Sequence, residues 1–157
     1  MHRSSSRRAF TLIELIAVVV ILAVLSGIAI PTYFDYSARA QTAAVQGALG
    51  GVRTGIASFY ANAATNGNPL YPTLQQLTEQ GTVMQEPLPP NPYNGLNNVI
   101  AATQAEADAR TTSATAAGWR YFVNNAATPP VAVFYANSTE ATRVNDAAGA
   151  AINANDL

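Results

Sequence analysis

Residues 10–30 are apolar at nearly every position, and residues 15–25 carry no polar side chain at all. As a helix rising 1.5 Å per residue this run spans about 31 Å. A bilayer's hydrocarbon core is about 30 Å thick, so the pattern predicts a membrane-spanning helix. Beyond it the pattern changes. Val45, Leu49, Val52, Ile56 and Phe59 recur at alternating spacings of four and three, which makes one apolar stripe on a helix. Arg39, Gln41, Gln46 and Arg53 fit a more polar side. Pro31 separates the two stretches. A proline inside a helix removes one backbone hydrogen bond and bends it, but the stripe that follows argues for continuation. The expectation is one helix from residue 10 to about residue 62, about 80 Å long and kinked at Pro31. Gly47, Gly50, Gly51 and Gly55 weaken its second half by about 1 kcal/mol each relative to Ala, in exchange for close packing or at a local break.

Past the helix the signals shorten. "TNGNPLYP", 65–72, is a turn-rich loop. Thr73 with Gln76 reads as a capping box opening a short helix through Leu74 and Leu77, with Gly81 as a stop. "EPLPPNPYNG", 86–95, holds four prolines and is no central strand or helix. It is an ordered turn or a loose linker, with Leu88 and Tyr93 to bury. "LNNVIAA" is a candidate strand. Residues 102–118 are a low-complexity Ala/Thr stretch, read as a short helix capped by Thr103 with Glu106 and then a mobile loop. "GWRYFVN" and "VAVFYAN" are the clearest strands. Trp119, Tyr121 and Val123 share one face, Val131, Val133 and Tyr135 another, and the "NAATPP" between them predicts an antiparallel hairpin. The polar tail from Ser138 is expected to fray. The fold class is α+β: a long kinked N-terminal helix, its first half membrane-spanning, packed on a small C-terminal head with an antiparallel β-sheet.

Composition removes whole classes of chemistry. The 157 residues contain no cysteine and no lysine, and His2 is the only histidine. Disulfides, thiolate catalysis, Schiff-base chemistry, a histidine triad and a Cys/His metal site within one chain are thereby excluded. The acids Glu79, Glu86, Glu106, Asp108 and Glu140 have no motif spacing. The sequence therefore predicts no enzyme, no catalytic residue, no cofactor and no metal site. Net charge is −1 and the arginines beyond residue 8 are scattered, so no nucleic-acid partner is predicted.

The start of the chain carries the chemistry that remains. Arg3, Arg7 and Arg8 precede the apolar run with no acid among them. Basic flanks stay cytoplasmic, which places the N-terminus inside and residues 32–157 outside. A cleaved secretory signal has an apolar core of about 7 to 15 residues, and this run is longer. A plain anchor explains length and orientation but leaves Glu14 unexplained, since ionisable groups in spanning segments are costly and functional by default. If the chain is cut between Ala9 and Phe10, a positive amine appears four residues before Glu14. Residues i and i+4 share a helix face, and a carboxylate suits the positive end of the helix dipole. Glu14 then becomes a docking charge for an amine, in its own chain or in a neighbour.

The stretch "RRAFTLIELIAVVVILAVLSGIAIPTYFDY" closely resembles the N-terminus of type IV pilins and type II secretion pseudopilins. The matching features are the basic leader, small residue Ala9, the run from Phe10 through Glu14, the apolar helix, and Ile30-Pro31 before an aromatic. The resemblance implies cleavage before Phe10 by a prepilin peptidase and methylation of the Phe10 amine by the same enzyme. It also implies pairing of Glu14 with a neighbour's amino terminus during assembly. Ala9 stands where the family usually has Gly. The implied segments are a leader at 1–9, a transmembrane and filament-core helix at 10–30, its amphipathic continuation at 31–62, and an exported head at 63–157. The implied partners are copies of the chain and related pilin-like subunits, the prepilin peptidase, an inner-membrane assembly platform and membrane lipid. The order "YPTLQQL", "LPPNPYNG", "GWRYFVN" and a last strand is similar to that of major pseudopilins. That family has a calcium site in the head; Asn91 stands here where an acid is expected, and the site is not carried over. The sequence thus points to a filament subunit of the bacterial inner membrane and periplasm, first a secretion pseudopilin and alternatively a type IV pilus pilin, major or minor. A tethered binding module using Trp119, Tyr121 and Tyr135 is the other class.

Overall fold

A computed structural model describes residues 10–157. The basic residues Arg3, Arg7 and Arg8 and the small residue Ala9 lie outside the described residues. The chain divides between Ser37 and Ala38 into two compact units, and helix α1, Leu12–Thr65, contributes to both.

In the N-terminal unit, α1 has apolar side chains on all sides. Among the described residues, all but two of the large apolar side chains left exposed lie at residues 10–36; Leu96 and Val131 are the others. A helix apolar all round belongs in a membrane or a protein interior, and this one is long and apolar enough to cross a membrane. Pro31 sits inside α1 and does not end it. Beside it, the Thr32 hydroxyl donates to the Ile28 carbonyl at 2.9 Å, a back-bond of the kind that accompanies helix bending.

The C-terminal unit is built on the second part of α1. Val45, Leu49, Val52 and Ile56 are buried in one core with Leu77, Leu88, Trp119, Tyr121, Phe134 and Ala136. The four-three spacing thus gives the packed face, with Phe59 half-buried at its end. Arg53 departs from the expected polar side. Its Nε and Nη2 donate to the Phe134 carbonyl at 3.1 and 3.0 Å, and its Nη1 to Leu157 O at 2.9 Å. No break occurs at the glycines: α1 runs through all four. Only Gly55 is crowded, its missing Cβ facing Met84 Sδ at 2.8 Å and the Val83 carbonyl at 3.3 Å, while Gly47, Gly50 and Gly51 face open space.

Both predicted capping boxes form. Thr73 with Gln76 opens α2, Leu74–Thr78, and Thr103 with Glu106 opens α3, Gln104–Asp108. The main sheet has order β1-β2-β3, with β1 Val99–Ala101, β2 Trp119–Asn124 and β3 Val131–Ala136. The β2–β3 hairpin is antiparallel, Trp119 opposite Ala136. β1 runs parallel to β2, so the sheet is mixed rather than purely antiparallel. Both faces are covered. Trp119, Tyr121 and Phe134 face the α1 core; Phe122, Tyr135 and Val133 pack with Ala107 of α3.

Two further expectations are corrected. The stretch before β2 is not a loose loop, because buried Asn137 stitches it. Its Nδ2 donates to the carbonyls of Ser113, Thr115 and Ala117, and its Oδ1 accepts from Ser113 N. The polar tail does not fray; it forms a second hairpin, β4 Ala141–Asn145 and β5 Ala151–Asn153. The turn is closed by Asp146, whose Oδ1 accepts from Ala148 N and Ala150 N, with Gly149 at φ +85°, where glycine is favoured. Thr42 Oγ1 accepts from Arg143 N at 3.0 Å and so ties this hairpin to α1.

Arg120 is buried in β2, a position for which charge alone predicts exposure. Its Nη1 donates to Thr111 O, its Nη2 to Ala101 O and, at 2.9 Å, to Glu106 Oε2. The Thr103 backbone N–H, the Thr103 hydroxyl and then Arg120 hold the Glu106 carboxyl down at about 2. A depressed folded pKa gives stability that is present above the ordinary glutamate range and lost as pH falls towards 2. Glu106→Gln keeps the capping geometry and removes the charge. Its melting temperature is therefore expected to lie below wild type at pH 7, with the gap closing between about pH 4.5 and 2. A pH-independent gap would contradict this account.

Candidate assembly and processing site

Helix α1 starts at Leu12, and the first amides of a helix have no intrahelical acceptor. Thr11 and Glu14 supply what is missing. Glu14 Oε2 accepts from Thr11 N at 2.8 Å and from Thr11 Oγ1 at 2.8 Å, and Thr11 Oγ1 accepts from Glu14 N at 3.3 Å. This is a reciprocal capping box, Thr-x-x-Glu. The sequence carries the signal in Thr11-Leu12-Ile13-Glu14, the same spacing that marks α2 and α3, though here it lies inside an apolar run.

The arrangement gives Glu14 a local partner. Its carboxylate sits at the positive end of the helix dipole and both bonds land on Oε2. An ionised carboxylate has about four acceptor positions on two oxygens, so Thr11 does not exhaust its capacity. Phe10, one residue before the cap, is 87% exposed and Glu14 is exposed too. A capped helix start therefore presents an ionisable oxygen pair next to an exposed chain segment at the head of an apolar helix. Of the residues singled out from sequence, Phe10 and Glu14 fall at this helix start and Pro31 falls well along α1.

Comparison with known proteins addresses this same region. Residues 4–30 match the family described as "Prokaryotic N-terminal methylation motif". The N-terminal segment is similar to that of type IV pilins. The pilin-type segment is 48% identical over 52 residues to "Type IV major fimbrial protein FimA" of Dichelobacter nodosus, covering 33% of each chain. It is 38% identical over 56 residues to "Fimbrial protein EcpC" of Eikenella corrodens, covering 36% of this chain and 37% of that one. It is also 38% identical over 56 residues to "Type IV major pilin protein PilE1" of Neisseria gonorrhoeae, covering 36% and 34%. The chain thus spans about a third of the length of the curated relatives it matches. No solved structure is a significant match.

In the head, the buried Asn91 replaces the expected acid with a different function. Its Nδ2 donates to Gly118 O at 2.8 Å and its Oδ1 accepts from Tyr93 N at 3.0 Å. An amide does both; a carboxylate accepts only. Asn91 closes the proline-rich turn onto β2, which makes that segment an ordered turn. The aromatics weighed as a binding surface are core residues: Trp119, Tyr121 and Tyr135 are all 1% exposed or less. Trp119 Nε1 donates to Pro89 O at 2.8 Å and Tyr121 Oη to Pro72 O at 2.7 Å. Burial pushes the Tyr121 and Tyr135 phenols up.

Proposed function

We propose that the chain is a structural subunit of a type IV pilin-like filament, processed before Phe10, methylated there, and assembled through α1. The observation that carries this reading is the methylation motif at residues 4–30 running into a helix whose apolar side chains are exposed on every side. A lone subunit holds that helix in the membrane; a filament of many copies buries it in a shared core. Non-closing head-to-tail contacts between identical copies give a helical filament of indefinite length. In this reading Arg3, Arg7 and Arg8 keep the start cytoplasmic and the head is exported. The prepilin peptidase, an inner-membrane assembly platform and related pilin-like subunits are the partners.

Within that class, a type II secretion pseudopilin is supported by the head's order: the capped α2, the proline-rich turn at 86–95, then β2 and β3. The alternative, a type IV pilus pilin, is supported by the relatives, which are major pilins and fimbrial proteins. Those matches reach only about a third of this chain, so the head is where the two readings separate.

Intact and N-terminal mass spectrometry of the membrane-extracted protein tests the processing step. The expected result is a mature chain starting at methylated Phe10. A chain starting at Met1 would make the segment a plain anchor. A start near Ala29 would make it a secretory signal.

A further inference from the structure

The C-terminal unit has a cavity of about 240 Å³ bordered by Arg53 and Arg110, with Ile56, Tyr71, Val133 and Phe134 among its walls. Ligand pockets for drug-sized molecules run from about 300 to 1,000 Å³, so this one suits something smaller. Arg53 and Arg110 border the cavity, and Arg110 also lies with Arg120 by the Tyr135 ring. Arg120 and Arg110 lie 6.0 and 5.5 Å from the Tyr135 ring centroid. Arg120 is paired with Glu106. Arg110 has no carboxylate partner among the described residues, and its Nη1 is buried without a hydrogen-bond partner, as are Arg120 Nε and the neighbouring Asn155 Oδ1. Its backbone is held at φ +51°, a left-handed conformation that costs a non-glycine residue free energy. Asn155 fixes it there, Nδ2 donating to Arg110 O at 2.7 Å. Burial first and the Arg110 charge second lower the pKa of Arg53, so the two cations oppose each other. A buried guanidinium nitrogen without an acceptor, facing a second cation, is costly as it stands. Arg53 already donates from all three nitrogens to Phe134 O and Leu157 O, so an anion here is held first by Arg110 Nη1, with the Arg53 charge as a second attraction.

We propose that this cavity binds a small monocarboxylate with a short aliphatic body, its charge between Arg53 and Arg110 and its hydrocarbon against Ile56 and Val133. The Arg53 fork is taken by Phe134 O; the Arg110 guanidinium is the one whose fork matches a carboxylate's two oxygens. The apolar walls set the rest of the preference. A doubly charged, fully hydrated phosphate loses more hydration on entry and gains nothing from Ile56 or Val133.

The test uses the full chain in detergent micelles and titrates butyrate, acetate and inorganic phosphate at constant ionic strength. Arginine Nε–Hε NMR signals and the melting temperature are read together. Butyrate is expected to shift the Arg53 and Arg110 signals, saturating in the millimolar range, and to raise the melting temperature. Acetate and phosphate should do so several-fold more weakly. Arg110→Gln should weaken butyrate binding at least tenfold. It should leave the melting temperature without butyrate unchanged or higher, because the Arg110 side chain donates no hydrogen bond among the described residues. Arg110→Lys, which keeps the charge, should fall between. Wild-type signals that do not respond to butyrate, or respond equally to chloride, overturn the proposal. So does a lower melting temperature in Arg110→Gln with butyrate binding intact, which would make Arg110 a packing residue.

Discussion

Gly118→Ala is expected to unfold the C-terminal unit or to cost it at least about 3 kcal/mol, the upper end of overpacking penalties. Gly118 leads into β2, and an added Cβ would collide with the carbonyl of Leu96. The obstacle is backbone, which cannot swing aside as a side-chain tip can. Nor is that backbone free to retreat. Asn91 N donates to Leu96 O at 2.8 Å, and the Asn91 side chain is bonded to Gly118 itself. Asn137 N donates to Gly118 O at 3.0 Å, so moving Gly118 also disturbs the end of β3. Gly50→Ala supplies the contrast. The chemical change is identical, the new Cβ meets open space, and helix propensity favours Ala by up to about 1 kcal/mol. Urea unfolding followed by Trp119 fluorescence should therefore move in opposite directions for the two variants. Similar behaviour would show that the close approach of Gly118 to Leu96 is not what shapes this corner.

The elements that could be read from sequence are those fixed by local chemistry. The stripe from Val45 to Ile56 needs only helical periodicity, and the caps at Thr73 and Thr103 need only a residue three places on. The β2–β3 hairpin needs only alternation and a turn between its strands. What escaped depends on partners far away in the chain. Arg53 fits the polar side of the helix because nothing local announces the carbonyl that receives it, Phe134 O, and nothing local marks Arg120 for burial against Ala101 O. Asn137 and Asn91 are ordinary polar residues until the loops they tie are in place. The tail from Ser138 is poor in apolar residues, so hydrophobic patterning says little about it. Its turn chemistry, Asp146 with Gly149, was there to be read. At the helix start the reverse occurred. Thr11-x-x-Glu14 is a local signal, but within an apolar run a carboxylate also suits a distant cation, so the sequence alone leaves its partner open.

Two variants of Glu14 separate its capping of α1 from the proposed docking, and under the docking proposal assembly is expected to be lost in both. Glutamine at this position can still accept from Thr11 N and Thr11 Oγ1, because the third helical position of a capping box takes Glu or Gln. It has no charge. Alanine removes the cap and the charge together. If Glu14 serves only to start α1, Glu14→Gln should assemble like wild type and Glu14→Ala should be the weaker of the two. If Glu14 docks the amine of a neighbouring Phe10, the charge decides. Low dielectric strengthens a carboxylate–amine pair far beyond its worth in water, and it makes an amine left without its partner expensive. Either variant would leave a neighbour's amine in that state, and the penalty recurs with every subunit added. Both variants should reach the membrane at normal levels with folded heads, since Glu14 lies outside the C-terminal unit. Sheared filament should fall at least about tenfold in each, the factor that a single modest pairing energy already brings. A minority of Glu14→Gln subunits mixed into wild type should shorten filaments rather than abolish them. Normal filament yield from Glu14→Gln alone would end the docking account and leave Glu14 as the residue that caps α1.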